Sequence, residues 1–294
     1  MTTSAAASPR QDVPAGGRSL GDWETVLATV DDGIAWVVLN RPDKRNCMNP
    51  TLNNEMLQVL DAVALDEEAR VLVLTGAGAA FTAGMDLKEF FRDSDQLSPA
   101  AAEIRQRSAY EWQGPRLRGF PLPTIAMVNG YCFGGGFVPL VSCDIAIAAE
   151  DAVFGLSEVN WGIIPGGNVP TAVVHTMSLR DAIYYSITGE TFDGRRASEM
   201  QLVNEGVPAD RLRARVIEIA EVLKTKNPTI VRRTKETIRH LRNMGWAEAQ
   251  DYIDAKEAMA LGSDPEHGRE HGLRQFLDEK SIRPGLEGYR RPQS

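Results

Sequence analysis

Metal-binding and redox side chains are scarce in this chain: three cysteines and four histidines stand among 294 residues. Cys47, Cys132 and Cys143 lack the paired spacing of a metal site and lie in or beside apolar segments. They read as buried free thiols, which suits a reducing cytoplasm. His175, His240, His267 and His271 form no ligand or triad pattern, so no metal is assigned. No apolar run reaches the eighteen or so residues of a membrane span. The opening residues 1–17 are rich in Ala, Ser, Pro and Gly without a hydrophobic signal core, and 1–19 are read as a disordered tail. Basic residues are outnumbered 32 to 40, for a net charge of -8. That balance argues against nucleic acid as a partner, because phosphate binding needs clustered cations. A local basic patch would still serve the phosphates of a nucleotide-like group.

What is present is enough apolar material, 43% of residues, for one sizeable core and a smaller helical appendage. Segment 33–39 reads as a strand, and 50–65 as an amphipathic helix capped by Asn49. Segments 71–75 and 123–128 are continuous apolar runs, the pattern of strands covered on both faces. Segments 144–148 and 152–154 add short strands, and 98–117 reads as a polar helix interrupted at Pro115. Beyond 208 the pattern is wholly helical, at 211–226, 228–244, 247–261 and a short segment through 267–277. Strands alternating with helices, then helices alone, indicate an α/β core (20–207), a C-terminal helical subdomain (208–285) and a terminal tail (286–294). No solenoid-type repeat is visible.

Two glycine-rich turns follow buried-looking strands. Gly134-Gly135-Gly136 comes after the 123–128 run, and Gly76-Ala77-Gly78 leads to Ala83-Gly84-Met85-Asp86 after 71–75. Such turns either simply close tight strand-to-helix connections or let a ligand atom approach bare backbone amides. Amides at a helix start carry the positive end of its dipole and suit an oxygen that becomes negative during a reaction. Phe154-Gly155-Leu156-Ser157-Glu158 then offers Glu158 as a proton carrier beside them.

The order Ala83-Gly84-Met85-Asp86, Asn129-Gly130, Gly134-Gly135-Gly136, Cys143-Asp144, Phe154-Gly155, Glu158, Gly162 and Pro165-Gly166-Gly167 resembles the crotonase (enoyl-CoA hydratase/isomerase) superfamily. The resemblance runs from about residue 23 to 284. Segments 39–46, 84–92, 155–162 and 275–281 look most like the hydroxycinnamoyl-CoA, or feruloyl-CoA, hydratase-lyases. It implies an α/β spiral of ββα units, C-terminal helices closing the site, and assembly as trimers or dimers of trimers. It also implies an acyl-CoA thioester substrate, with coenzyme A part of substrate and product and no separate metal or redox cofactor.

Residue by residue, the resemblance places the two enolate-holding amides at Met85 and Gly135 and the acid/base carboxylate at Glu158. Each amide donor is worth about 3 kcal/mol to such a transition state. The Met85 side chain then matters for shape alone. A glutamate between apolar neighbours is expected to be desolvated and raised in pKa. Ordinary hydratases of the superfamily carry a second glutamate two residues after the glycine triplet, and the hydratase-lyases a serine; Val138 stands there. Of two tyrosines that hold the substrate's para-hydroxyl, one falls on Phe90 and the other on Asp254, with Tyr252 two places earlier. Asp254 either accepts a phenol hydrogen bond or is an exposed helix residue. Lys44 matches a residue near the CoA nucleotide, although a solvated turn explains it equally. Ala83, Leu87, Ser157, Trp161 and Gly166 match the pantetheine and acyl channel.

The expected reaction is hydration of a hydroxycinnamoyl thioester followed by retro-aldol cleavage to an aromatic aldehyde and acetyl-CoA. Alternatives are a simpler enoyl-CoA hydratase or isomerase with another acyl group, or a non-catalytic CoA-binding subunit. An RNA-binding role, which an occasional relative has, conflicts with the acidic balance.

Overall fold

The computed structural model describes residues 16–283, 285 and 287–291. In chain order its elements are β1 (Arg18–Ser19), β2 (Val26–Asp31), β3 (Ile34–Leu39), α1 (Pro50–Leu65), β4 (Val71–Gly76), β5 (Ala80–Thr82) and α2 (Pro99–Glu111). Then come β6 (Thr124–Val128), β7 (Tyr131–Phe133), α3 (Phe137–Ser142), β8 (Ile145–Ala149), β9 (Val153–Gly155), α4 (Val169–Thr176) and α5 (Leu179–Thr188). The chain ends with β10 (Thr191–Asp193), α6 (Gly194–Glu199), β11 (Glu205–Val207), α7 (Leu212–Lys224), α8 (Pro228–Leu241), α9 (Trp246–Ser263) and α10 (Gly268–Leu277).

Two sheets organise the strands. The larger runs β1-β2-β3-β4-β6-β8-β11 and the smaller β10-β9-β7-β5. From β3 to β11 the large sheet is parallel, and β5, β7 and β9 are parallel in the small one. Three successive passes of the chain, β4-β5-α2, β6-β7-α3 and β8-β9-α4, each add one strand to the large sheet, the next to the small sheet, and then a helix. This is the expected spiral of ββα units. Periodicity hides it because consecutive strands never pair with one another within a pass.

Strands β3, β4 and β6 are buried at every position, as their unbroken apolar runs require. Trp36, Phe81 and Trp112 are the largest side chains in this core. The indole of Trp112 donates to Asn53 Oδ1 of α1 at 2.7 Å. Pro50 at the first position and the Asn49 side chain accepting from Leu52 N start α1 where the sequence places it. Between β4 and β7, Asn129 Nδ2 donates to Gly76 O (2.8 Å) and Gly78 O (3.0 Å). Gly130 packs so closely that a Cβ there would lie 2.0 Å from Ala79 O. These contacts bring the starts of β5 and β7 side by side.

The chain divides into two compact units, Met1–Phe120 with Thr124–Ile217, and Pro121–Pro123 with Glu218–Ser294. The division falls within α7, ten residues beyond the expected 207/208. The first turns of α7 belong with the sheets: Arg213 lies over the Trp36 ring at 5.4 Å, and Arg215 pairs with Glu205 at 2.7 Å. The second unit is helical, as expected. Lys235 Nζ of α8 donates to Leu122 O at 2.6 Å, which accounts for 121–123 joining it.

Residues 16–19 and 287–291, which fall in the expected tails 1–19 and 286–294, are among the described residues. Residues 1–15 lie outside the described residues, but Arg18 and Ser19 pair with Val30 and Thr29, and Arg18 meets Asp66 at 2.7 Å. At the other end Leu286 and 292–294 are outside the described residues. Arg290, however, exchanges two hydrogen bonds with the Gln275 side chain (2.9 and 2.8 Å), and Arg291 pairs with Glu266.

Gly130→Ala tests the packing between β5 and β7. Overpacking at this point is expected to cost about 1–3 kcal/mol of stability, read as a lower denaturant midpoint with an unchanged slope. An unaltered midpoint would mean that the Ala79 carbonyl is free to move aside.

Candidate active site

The strands β5, β7 and β9 pair in parallel, with Thr82 opposite Cys132 and Cys132 opposite Phe154. Their carboxyl ends therefore lie side by side, the usual place for a site in parallel sheets. β5 leads into Gly84-Met85, β7 into Gly134-Gly135, and β9 into Ser157-Glu158. The three stretches singled out in the sequence thus emerge together.

The first two touch through their backbones. Gly84 has φ 87°, and a Cβ on it would stand 2.7 Å from Phe133 O and 3.1 Å from Gly135 N. A Cβ on Gly135 would stand 3.1 Å from Met85 Cγ and 3.4 Å from Met85 N. Only bare glycines allow this approach. The stretch around Met85 is bridged to Met48: Met48 N donates to Gly84 O (2.7 Å) and Asp86 N to Met48 O (3.0 Å). That pairing bypasses the Met85 amide. Gly135 is the second residue of a helical turn at 134–136 that runs into α3, and amides so placed have no partner within the turn. Two outward amides on adjoining strands' ends can converge on one oxygen.

Glu158 supplies the third part. Gly134 takes φ 47°, and a Cβ on it would lie 2.9 Å from Glu158 Oε1. The carboxyl group therefore sits against the glycine turn, one residue from the Gly135 amide. Its Oε2 is buried and, among the described residues, has no hydrogen-bond partner. Burial raises the Glu158 pKa above the ordinary glutamate value, its own backbone amide only partly opposing the shift. A buried, unpartnered carboxyl oxygen with a raised pKa is suited to taking up and returning a proton.

The other candidates distribute as follows. Lys44 ends an exposed helical turn at Pro42–Lys44. Ala83 is half-buried and its N donates to Arg45 O at 2.8 Å, so the two candidate stretches adjoin. Leu87 is exposed, and Phe90 is buried in the wide turn that follows Met85. Val138 is buried in the first turn of α3. Ser157 is half-buried and its carbonyl accepts from Asn160 N at 3.0 Å. Trp161 is 66% exposed, and Gly166 stands in open space. Tyr252 and Asp254 are on α9 in the second unit. There the Tyr252 ring lies tilted beside His240 (5.5 Å between rings) under the Lys256 ammonium, and exposed Asp254 accepts from Gln250 Nε2 at 2.7 Å.

Sequence reasoning named Gly84 and Gly134 only as members of their turns and gave no role to Gln113. The first two are the closest contacts of the candidate groups, and glycine's tolerance of positive φ was the signal available. Buried Gln113 places Nε2 3.6 Å from Met85 Sδ. No periodicity foretells that, because it depends on how α2 returns to the sheet.

Residues 29–283 match the family model described as enoyl-CoA hydratase/isomerase. The chain is 53% identical over 271 residues to a hydroxycinnamoyl-CoA hydratase-lyase of Pseudomonas fluorescens, covering 92% of this chain and 98% of that one. It is 30% identical over 255 residues to a 2,3-dehydroadipyl-CoA hydratase of Escherichia coli, covering 87% and 95%. Among solved structures, an enoyl-CoA hydratase from Shewanella pealeana is similar with a TM-score of 0.77 at 30% identity, over 87% of this chain and 94% of that one. The expected α/β spiral is thus also the fold of solved neighbours.

Because folding raises the pKa of Glu158, the folded state holds its proton more tightly than the unfolded chain does. Stability therefore falls as pH rises above the ordinary value of 4.5. Glu158→Gln is expected to raise the melting temperature at neutral pH, with the gain disappearing below pH 4.5. A gain equal at both pH values would show that burial of charge is not its source.

Proposed function

Given that the chain belongs to the enoyl-CoA hydratase/isomerase (crotonase) family, we propose that it is a hydratase-lyase converting a hydroxycinnamoyl-CoA, such as feruloyl-CoA, to an aromatic aldehyde and acetyl-CoA. Likeness to the Pseudomonas hydratase-lyase over nearly the full length of both chains carries this reading. The placement of Glu158 against the glycine turn supplies its chemistry.

The thioester oxygen rests between the amides of Met85 and Gly135. Water adds to the β-carbon while giving a proton to the Glu158 carboxylate, the negative charge moves to the thioester oxygen as an enolate, and the amides hold it. Glu158 delivers a proton to the α-carbon, completing hydration. The β-hydroxyl then gives its proton to the Glu158 carboxylate, the Cα–Cβ bond breaks, and its electron pair enters the acetyl-CoA enolate. An aldehyde, vanillin in the feruloyl case, departs. The enolate takes a proton from Glu158 to give acetyl-CoA. The net change is one thioester and one water to one aldehyde and one acetyl-CoA. Charge is carried by amides and protons by one carboxyl, so this scheme asks for no metal or redox cofactor. A para-hydroxyl on the ring donates electrons toward the β-carbon and assists both steps.

Lys44 is assigned to the CoA nucleotide, and Ala83, Leu87, Ser157, Trp161 and Gly166 to the pantetheine and acyl channel. Phe90 and Val138 offer no hydroxyl, and Asp254 or Tyr252 is the phenol contact that the family resemblance implies. Self-association as a trimer or hexamer is supported by the apolar face of α5, where Leu179, Ile183 and Ile187 are exposed. A cytoplasmic setting is supported by Cys47, Cys132 and Cys143 being thiols and not halves of disulfides. Among the described residues, no helix is long and apolar enough to cross a membrane.

Purified protein incubated with feruloyl-CoA is expected to release aldehyde and acetyl-CoA in equal amounts, and Glu158→Gln to lower turnover at least about 100-fold while thioester affinity is kept. Hydrated thioester without aldehyde would instead make the protein a hydratase. Wild-type rates in Glu158→Gln would remove that residue from the mechanism. For ring recognition, Asp254→Ala should reduce kcat/KM for feruloyl-CoA more than for unsubstituted cinnamoyl-CoA, and equal losses would exclude Asp254.

A further inference from the structure

Met85 is followed by an aspartate, Asp86, whose hydrogen bonds go to Arg41, Cys47, Lys88 and Glu89. Asp86 is buried, and its two carboxylate oxygens do different things. Oδ1 accepts from Lys88 N (3.0 Å) and Glu89 N (2.9 Å), starting the turn that follows. Oδ2 accepts from Arg41 Nη1 at 3.0 Å and from Cys47 Sγ at 3.1 Å. Arg41 is shielded too, with only 11% of its side chain exposed. Its Nη1 also donates to Cys47 O (2.7 Å), its Nη2 to Glu89 Oε1 (2.8 Å), and its backbone N to Asn46 Oδ1 (2.9 Å). Glu89 Oε2 in turn accepts from Asn49 Nδ2 at 2.7 Å, and Asn49 caps α1.

The result is one connected path from the start of α1, through Glu89 and Arg41, to the residue that fixes Met85. A pair so shielded from water is not loosely held, and breaking it by removing one partner leaves a buried charge uncompensated. Burial opposes the Asp86 carboxylate, but the bonds from Glu89 N, Cys47 and Arg41 hold its pKa below the usual range. Burial and the Asp86 carboxylate beside it push the Cys47 thiol up to about 12, so the thiol serves here as a donor and not as a nucleophile.

We infer that Asp86, clamped by Arg41, is a positioning residue that aims the Met85 amide at the thioester oxygen. The inference rests on the assignment of the Met85 and Gly135 amides as the enolate-holding pair. Neither side chain touches the reacting atoms. The Met85 N–H belongs to the Gly84–Met85 peptide, whose carbonyl accepts from Met48 N, and Asp86 N closes the same bridge on Met48 O; by anchoring Asp86, the ion pair holds this bridge, and with it the Gly84–Met85 peptide, in place.

The test reads carbonyl polarisation directly. A saturated phenylpropanoyl-CoA carrying ¹³C at the thioester carbon can be neither hydrated nor cleaved, so its bound C=O stretch reports the two amides. In the wild-type protein the stretch is expected at lower frequency than in the free thioester. Asp86→Asn keeps the cap at Lys88 and Glu89 but turns an amide donor toward Arg41 and Cys47. It is expected to lose most of that displacement and about 10–100-fold in kcat, with KM little changed. Arg41→Lys, a point charge unable to serve Cys47 O, Asp86 and Glu89 together, should move both readings in the same direction. Glu158→Gln should lose turnover but keep the displacement.

A wild-type displacement that both Asp86→Asn and Arg41→Lys retain would overturn the inference, even if kcat fell. No displacement in the wild-type protein would overturn the amide assignment itself, and the inference with it. If Asp86→Asn fails to fold, Arg41→Lys decides, and Glu89→Gln, on the more exposed arm of the path, serves as a third variant expected to lose part of the displacement.

Discussion

Everything in the candidate site depends on the parallel pairing of three short strands, β5, β7 and β9. Each is three residues long, too short to hold a register by its own hydrogen bonds. Register is imposed from outside. The strands follow β4, β6 and β8, which are paired residue against residue in the buried large sheet. Asn129 ties the turn after β4 to the start of β7, and Gly130 lets the two backbones meet. A slip of one residue would reverse which face each side chain takes and separate the Met85 amide from that of Gly135. The large apolar sheet thus acts as a ruler for a small polar site, although it contributes no reacting group.

Two carboxylates illustrate how the same frame produces opposite electrostatics a short distance apart along the fold. Asp86 is buried but receives an arginine, a thiol and two amides, and remains charged. Glu158 is partly buried with one oxygen unpartnered, and its pKa rises. Separating the environments of two acids in this way assigns them different tasks. The paired one is structural ballast for the loop that carries Met85. The unpaired one is free to gain and lose a proton, because neither state is locked by a cation.

The long elements were legible in the sequence because each has a simple physical signature. Unbroken apolar runs marked β3, β4 and β6, and Asn49 with Pro50 marked the start of α1. The glycine triplet and Glu158 were legible as a group because backbone access and an acid in an apolar context are rare together. What was not legible was short or relational. β5, β7 and β10 are three-residue strands whose existence is decided by neighbours. Helices α4 and α5 have no polar face strong enough to stand out beside their exposed apolar residues. The bond path through Arg41, Asp86 and Glu89 joins positions 45 and 48 residues apart, and no local pattern encodes such distances. The early end of the expected core at 207 failed because α7 begins with the sheets and ends with the helices.

The division of labour between backbone and side chains explains how one fold can serve different acyl groups. In the proposed reaction enolate charge is met by amides, which every residue except proline possesses, so substitutions at Met85 would leave that donor in place. On the same proposal, substrate choice is left to the few side chains assigned to the ring. Phe90 and Val138 are buried and apolar here, so any hydroxyl brought against them would lose water without gaining a partner. Such a mismatch discriminates by roughly 10⁴-fold or more in sites built around a hydroxyl. A phenol must therefore find its partner elsewhere, or the ring must carry its polar group where water reaches it. The chemistry at the thioester and the preference at the ring are consequently separable, and the two can change independently without disturbing the sheet that aligns the amides.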